Sequence, residues 1–335
     1  MVGAIPEVPG TRNLLAMSPQ HSAELRYDQL GGRVVIVAAG RAARPHQFAA
    51  TPDDERSGPC PFCPGNEVET PPERVRTGAG DADAPGWRVR VVPNKFPIVG
   101  GKGAGPGATG AHEVVALSPD HRASFAQLDD DQAAEVFMVL RDRVRAHGDA
   151  GHAFALAIVN HRRAAGASIA HPHAQVLALD FVPPAVAAGL ARFRSAGEDL
   201  VHADAHAGSA LFDGAAAAAH PGVLAWSPYA ASSPGMVRLA LADTGSSFGA
   251  VADAQAAAMG RAVREVLARL GAWMADPPYN LVVQTSPAGT ADGAFHWYVE
   301  ITPRISIVAG FEQGTGVLVN TVPPEQAAEA LRSAP

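Results

Sequence analysis

Cysteine is the scarcest chemically useful residue in this chain. Among 335 residues only Cys60 and Cys63 are cysteines, and so few argue against a framework of disulfide bonds. The pair is spaced Cys-x-x-Cys and leaves three interpretations open: half of a zinc site, a redox pair or two free thiols. A redox pair normally precedes a helix, whereas Pro64 and Gly65 continue this segment as a loop.

Net positive charge and long apolar runs are also missing. The formal net charge is -7, which gives no basic footprint for nucleic acid, so small anionic substrates must be held by local groups. No stretch is long and apolar enough to span a bilayer, and the first ten residues lack the pattern of a signal peptide. We therefore expect a cytoplasmic protein with neither a nucleic-acid nor a membrane partner.

The residues that are present predict an α+β protein built from two similar halves. Hydrophobic residues make up 47% and charged residues 18% of the chain, a composition typical of a globular protein. Apolar periodicity predicts the order strand, strand, helix, strand, strand twice, with the composition becoming alanine-rich near residue 185. This weak duplication predicts domains at residues 1–185 and 186–335.

One stretch, residues 160–179, carries the chemistry. Two short apolar strands enclose a loop of small residues, Gly166 to Ser168, where a phosphate can approach the backbone. On an extended second strand, the side chains of His171, His173 and Gln175 would share one face. A neutral imidazole at His173 suits a nucleophile in phosphoryl transfer, and Gln175 can donate a hydrogen bond without titrating. The plainer alternative is an ordinary His-x-His that binds metal or lies in the core.

The segment His171-Pro172-His173-x-Gln175, preceded by Asn160 and by Gly166-Ala167-Ser168, resembles the signature of galactose-1-phosphate uridylyltransferases. These enzymes are the transferase branch of the histidine-triad superfamily. The resemblance implies two tandem histidine-triad-like halves, with antiparallel sheets and flanking helices. It also implies transfer of UMP from UDP-glucose to galactose 1-phosphate through a covalent uridylyl-histidine intermediate, with His173, Gln175 and Ser168 as the catalytic residues, and it suggests a homodimer.

Three other functions stay open at this point. A nucleotide-sugar or dinucleoside-polyphosphate phosphorylase would use the same nucleophile with inorganic phosphate as the acceptor. A histidine-triad hydrolase would use water, but Gln175 argues against it because an amide cannot act as an acid or a base. The non-enzyme alternative is a zinc-stabilised nucleotide-binding protein with an inactive site.

The resemblance also identifies substrate-binding residues. Arginines near the end of an N-terminal strand match positions that face the nucleotide phosphates, and a guanidinium suits such contacts. A strand-end asparagine matches a segment that touches the ribose and base, while a C-terminal segment matches the sugar-recognition region. The implied residues are Arg41, Arg44, Asn94, Asn160, Gly166, Phe311 and Glu312.

For the cysteines, the resemblance implies one structural zinc ion. The implied ligands are Cys60, Cys63, His121 and His171, with His112 as a rival for the third position. A zinc ion bound there would hold the active-site loop without taking part in the chemistry.

Some relatives carry a second metal, and this chain departs from their ligand pattern. The matching positions are Gly189, Gln284, His296 and Tyr298, which keep one ligand only. We therefore expect no second metal.

Overall fold

The computed structural model describes residues 23–40, 59–100, 108–212, 214–243 and 245–335. The strands of these ranges are β1 (Glu24–Asp28), β2 (Arg33–Val37), β3 (Val75–Gly78), β4 (Trp87–Pro93), β5 (Gly110–Ala116), β6 (Phe154–His161), β7 (His173–Leu179), β8 (Ser209–Ala210), β9 (Val223–Ser227), β10 (Val237–Leu241), β11 (Tyr279–Gln284), β12 (Tyr298–Pro303) and β13 (Val317–Asn320). Their helices are α1 (Asp130–Asp149), α2 (Pro184–Ala196), α3 (Leu200–Ala207), α4 (Gly214–Ala219), α5 (Asp253–Met274), α6 (Gly310–Thr315) and α7 (Pro324–Ser333).

Ten strands form one antiparallel sheet that continues from the first half of the sequence into the second. Its order is β3-β4-β5-β7-β6-β11-β12-β10-β9-β8. Strands β4 to β7 correspond in order and position to β9 to β12, so the sheet has approximate twofold symmetry about the β6–β11 pair. At that pair Asn160 lies opposite Asn280. The predicted duplication is therefore visible as two matching halves of one sheet.

The long helices α1 and α5 arise from amphipathic segments and pack against each other on one face of this sheet. Helix α1 begins after Asp129, whose carboxylate accepts a hydrogen bond from the Gln132 N–H. The two helices approach closely at Gly260, where an added Cβ would lie 2.3 Å from the carbonyl oxygen of Ala133. Only a residue without a side chain fits this crossing.

Side chains alternate between the two faces of the sheet, so each strand contributes residues to the core on one face and to the cavity side on the other. In β7, Ala174 and Val176 are buried in the main core with the residues of α1 and α5. Their neighbours His173 and Gln175 therefore point to the other face, where they line a cavity. The helices cover one side of the sheet and leave the reactive side chains on the other.

A smaller sheet of β1, β2 and β13 lies against the second half. Gly32, with φ of 67°, closes the β1–β2 hairpin, and β13 pairs with β2 in parallel. A buried charge cluster attaches the small sheet to the large one: Arg238 of β10 binds Asp28 of the hairpin and Glu300 of β12. Charges thus join the hairpin to the large sheet.

The predicted α+β class with antiparallel sheets and flanking helices is confirmed, apart from the parallel β2–β13 pair. The strand that was expected to carry His171, His173 and Gln175 begins at His173. The boundary after residue 185 stays a prediction. In the described part of the chain, no helix combines the length and apolar character that crossing a membrane requires.

Candidate active site

A cavity of about 380 Å³ opens at the start of β7. Ser168, His173 and Gln175 line one side, and Asn94, which follows β4, lies on another. The fold therefore brings together four residues that lie as far as 81 positions apart in the sequence. Phe62, from the segment that carries the two cysteines, completes the wall beside His173 with 5.7 Å between ring centroids.

The His173 ring is held in one orientation by the backbone carbonyl of His171. Its Nδ1 lies 2.9 Å from the carbonyl oxygen of His171, and because a carbonyl only accepts, Nδ1 carries the proton. Nε2 makes no hydrogen bond within the described ranges and keeps its lone pair. Burial lowers the pKa of His173, which favours the neutral ring. The side chain is thus a buried neutral imidazole whose Nε2 is available as a nucleophile.

Gln175 makes its hydrogen bond to His112 on the neighbouring strand β5. The distance from His112 Nε2 to Gln175 Oε1 is 2.8 Å, and Asn94 Nδ2 lies 3.1 Å from the same ring nitrogen. His112, the rival third zinc ligand, therefore belongs to the cavity network and not to the group around the cysteines.

The loop between β6 and β7 is shaped by left-handed backbone and by contacts from the second half. Gly166 has φ of 95°, and a Cβ added there would lie 3.8 Å from Asn160 Nδ2. Asn280 of β11 donates to Asn160 Oδ1 and to the Ala165 carbonyl, both at 2.8 Å. Asn280 therefore fixes both the Asn160 amide and the loop that leads to Ser168.

The two cysteines and two histidines converge as the resemblance implied. Each of Cys60, Cys63, His121 and His171 offers a ligand atom, all within 4.8 Å of one another. Cys63 Sγ lies 3.2 Å from His121 Nδ1 and 3.6 Å from His171 Nδ1. A tetrahedral ion ~2.0–2.3 Å from each ligand would place its ligands ~3.3–3.8 Å apart, so these residues fit a metal ion.

Electrostatics also favours a cation in this group. Burial and the neighbouring Cys60 raise the pKa of the Cys63 thiol to about 11. Burial lowers the pKa of His171 to about 4, and its Nε2 faces the Ser118 carbonyl at 2.8 Å, which leaves the Nδ1 lone pair toward the cysteines. A divalent cation would stabilise both thiolates. The expectation that His171 shares one face with His173 and Gln175 is therefore wrong: His171 precedes the strand and belongs to the group around the cysteines, while the other two line the cavity.

Among the predicted substrate residues that the structure describes, Asn94 lines the cavity, whereas Asn160, Gly166, Phe311 and Glu312 are not among its lining residues. Arg41 and Arg44 lie outside the described residues. Phe311 and Glu312 lie on the short helix α6. Glu312 accepts a hydrogen bond from the Ala309 N–H at the start of that helix, so its carboxylate caps its own segment.

The second half has a different chemistry at the equivalent positions. Tyr298 and Glu300 of β12 take the places of His173 and Gln175, and with Gln284 and Gly189 they line a separate cavity of about 220 Å³. His296 points elsewhere: its Nδ1 lies 2.7 Å from Asp199 Oδ2.

His296, Asp199 and His202 form a second group that could hold a metal ion, with ligand atoms within 4.8 Å of one another. Sequence reasoning did not find Asp199 or His202, although Asp-x-x-His at the start of a helix was a usable signal. The expected absence of a second metal remains a prediction.

Comparison with known proteins identifies one group of relatives. The family model for the N-terminal domain of galactose-1-phosphate uridyl transferase matches residues 104–183. An ADP-glucose phosphorylase from Arabidopsis thaliana is 30% identical over 334 residues, covering 93% of each chain. A galactose-1-phosphate uridylyltransferase from Thermotoga maritima is 25% identical over 349 residues, covering 92% of this chain and 98% of the relative.

A crystal structure of an Arabidopsis thaliana ADP-glucose phosphorylase with bound ADP-glucose superimposes with a TM-score of 0.82 and 28% identity. The similarity covers 94% of this chain and 99% of that one. The likeness therefore extends over both halves of the sheet and is not confined to the segment around His173.

Proposed function

This chain is a member of the galactose-1-phosphate uridylyltransferase family of the histidine-triad superfamily, and from that premise we propose that it transfers a nucleotidyl group through a covalent bond to His173. The observation that carries the proposal is the orientation of that ring: Nδ1–H is bound to the His171 carbonyl, and Nε2 is left for the cavity. A neutral imidazole so held can attack phosphorus without first losing a proton.

The reaction has two displacements. In the first, Nε2 of His173 attacks the α-phosphorus of a nucleotide sugar, the bond to the bridging oxygen breaks, and the sugar 1-phosphate leaves. In the second, an acceptor oxygen attacks the same phosphorus and the bond to Nε2 breaks, which restores the neutral imidazole. Each step moves one nucleotidyl group, so the kinetics are ping-pong.

Charge on the transferred group would be stabilised by groups that do not titrate near neutral pH. Ser168 and Gln175 line the cavity beside His173, and the loop at Gly166 allows a phosphoryl oxygen to approach backbone N–H groups. Positioning and electrostatic stabilisation account for most catalysis of phosphoryl transfer. An amide at Gln175 cannot activate water as a base, which favours an acceptor that is already nucleophilic.

ADP-glucose with inorganic phosphate is the reaction we favour. The supporting observations are 30% identity over 93% of both chains to an ADP-glucose phosphorylase and the TM-score of 0.82 to such an enzyme with bound ADP-glucose. In this reaction the second displacement by phosphate releases ADP. Uridylyl transfer from UDP-glucose to a hexose 1-phosphate is the second candidate, supported by the family match at residues 104–183.

We further propose that the ion held by Cys60, Cys63, His121 and His171 is zinc, since thiolate and imidazole ligands suit zinc. Its contribution when bound would be structural. The His171 carbonyl accepts the Nδ1–H of His173, so a fixed His171 also fixes the orientation of the nucleophile.

Intact-protein mass spectrometry tests the covalent step. The protein is exposed briefly to ADP-glucose or UDP-glucose without acceptor and quenched at alkaline pH, because a phosphohistidine bond is labile in acid. We expect an adenylyl adduct on His173 that inorganic phosphate discharges as ADP. His173→Asn should form no adduct, whereas His220→Asn, which alters a histidine paired with Glu265 in the second half, should form it normally.

The outcomes separate the candidates. A uridylyl adduct discharged only by a hexose 1-phosphate would support the second candidate, and discharge by water alone would support a hydrolase. An adduct that persists in His173→Asn, or no adduct with either donor, would refute the proposed chemistry.

A further inference from the structure

The amide of Gln175 is connected to the protein backbone through His112. The Ile98 N–H donates to His112 Nδ1 at 3.3 Å, and His112 Nε2 lies 2.8 Å from Gln175 Oε1. His112 is only 7% exposed, so water does not replace these partners. The three groups form a linear series of hydrogen bonds that ends at the cavity.

The hydrogen bond from the Ile98 N–H decides which ring nitrogen of His112 carries the proton. A backbone N–H can only donate, so His112 Nδ1 must present a lone pair to Ile98, and the proton of the neutral ring is on Nε2. The Asn94 NH₂ group lies between the two ring nitrogens, 3.3 Å from Nδ1 and 3.1 Å from Nε2, and does not decide between them. The assignment therefore rests on the Ile98 N–H, which can only donate to Nδ1.

The hydrogen bond between His112 Nε2 and Gln175 decides the orientation of the Gln175 amide. Because Nε2–H of His112 donates, its partner must be the amide oxygen, and the Gln175 NH₂ group is left to face the cavity. With the amide reversed, its oxygen would point toward the phosphoryl oxygens, and two acceptors would repel each other.

We propose that His112 is a positioning residue that sets the Gln175 amide so that its NH₂ group donates to the transferred phosphoryl group. The inference rests on the proposed function for the role of Gln175, but the orientation itself is a property of the free protein. Burial lowers the pKa of His112, which is consistent with a neutral ring.

The first test needs no substrate. Two-dimensional NMR of ¹⁵N-histidine-labelled protein reports which ring nitrogen carries the proton, and comparison with His112→Gln assigns the signal. We expect the Nε2–H tautomer at pH 7.5. An Nδ1–H tautomer or an imidazolium ring would overturn the proposal, whatever reaction the enzyme catalyses.

The second test is a double-mutant cycle on the rate of nucleotidyl transfer to His173. Removing one donor to a developing charge typically costs ~10²–10³-fold, which we expect for Gln175→Ala. Loss of a supporting partner typically costs ~10–100-fold in metal sites, and we expect a similar loss for His112→Phe. If His112 acts through Gln175, the double variant should be no slower than Gln175→Ala alone.

Additive losses in the double variant would overturn the proposal, because they would show an independent role for His112. His112→Gln retains a donor near Nε2 and should recover part of the rate, whereas a merely structural role would not distinguish it from His112→Phe. His152→Phe, at a partly exposed histidine paired with Asp180, is the matched control. Absence of any nucleotidyl adduct in the unaltered protein would refute the proposed function and leave the tautomer result to decide on the orientation.

Discussion

Replacement of Arg238 by methionine is expected to be among the most destabilising single changes in this protein. The Arg238 side chain has 0% exposure and is surrounded by Asp28, Asp204 and Glu300, with the closest oxygens at 2.7, 2.8 and 2.9 Å. Among the described residues, Arg33 provides the second cation of this cluster. Methionine fills a similar volume but leaves three carboxylates to share one guanidinium.

The magnitude follows from the uncompensated charge. Breaking a buried ion pair by removing one partner typically costs ~3–5 kcal/mol. With an unfolding entropy of ~2.1 cal/mol/K per residue, a chain of 335 residues that unfolds as one unit would lose roughly 4–7 °C in melting temperature. Arg264→Met removes an exposed pair with Asp130 and should cost less than about 1 kcal/mol.

Thermal denaturation followed by circular dichroism at several pH values distinguishes lost charge from lost packing. Burial alone would raise the pKa of Asp28, but Arg238 and then Arg33 lower it to about 2. A carboxyl with a depressed native pKa contributes stability above its unfolded value of 3.8, and this contribution disappears as pH falls toward 2. The difference between the unaltered protein and Arg238→Met should therefore shrink below about pH 4. A difference that is constant with pH, or equal to that of Arg264→Met, would refute the reasoning.

Three other changes test separate parts of the structure. Asn280→Ala should slow nucleotidyl transfer by about tenfold or more, as loss of a supporting partner does in metal sites, with an unchanged circular dichroism spectrum; an unaltered rate would show that Asn160 needs no fixed amide. Gly260→Val should lower the free energy of unfolding by about 1–3 kcal/mol in urea titration because a Cβ meets the Ala133 carbonyl, and unchanged stability would contradict the close crossing. Cys63→Ser should lose bound zinc by elemental analysis and reduce transfer, whereas two metals per unaltered chain would contradict the expected absence of a second ion.

Much of the fold follows from local patterns. Short apolar runs predicted β6 and β11, and apolar residues at helical spacing predicted α1 and α5, because burial sets both patterns. The parallel pairing of β13 with β2 was not predictable in this way, since those segments lie almost three hundred residues apart.

The site was predictable where residue chemistry is local and unpredictable where it depends on neighbours in space. The spacing of His173, Gln175 and Ser168 indicated a nucleophile with non-titrating donors, and the structure places all three on one cavity. His112 was considered only as a metal ligand because its pairing with Gln175 depends on the register of β5 and β7. Asn280 was missed because its partner Asn160 comes from the other half of the chain.

The pairing of β6 with β11 makes neither half a natural fragment. A chain cut after residue 185 would lose β11 and expose β6 as an edge strand with unpaired N–H and C=O groups, which invites aggregation or pairing with another copy. It would also lose the amide that holds Asn160 in place. The second half thus supplies the strand that pairs with β6, and a mutation in the β6–β11 pair would disturb both halves of the sheet.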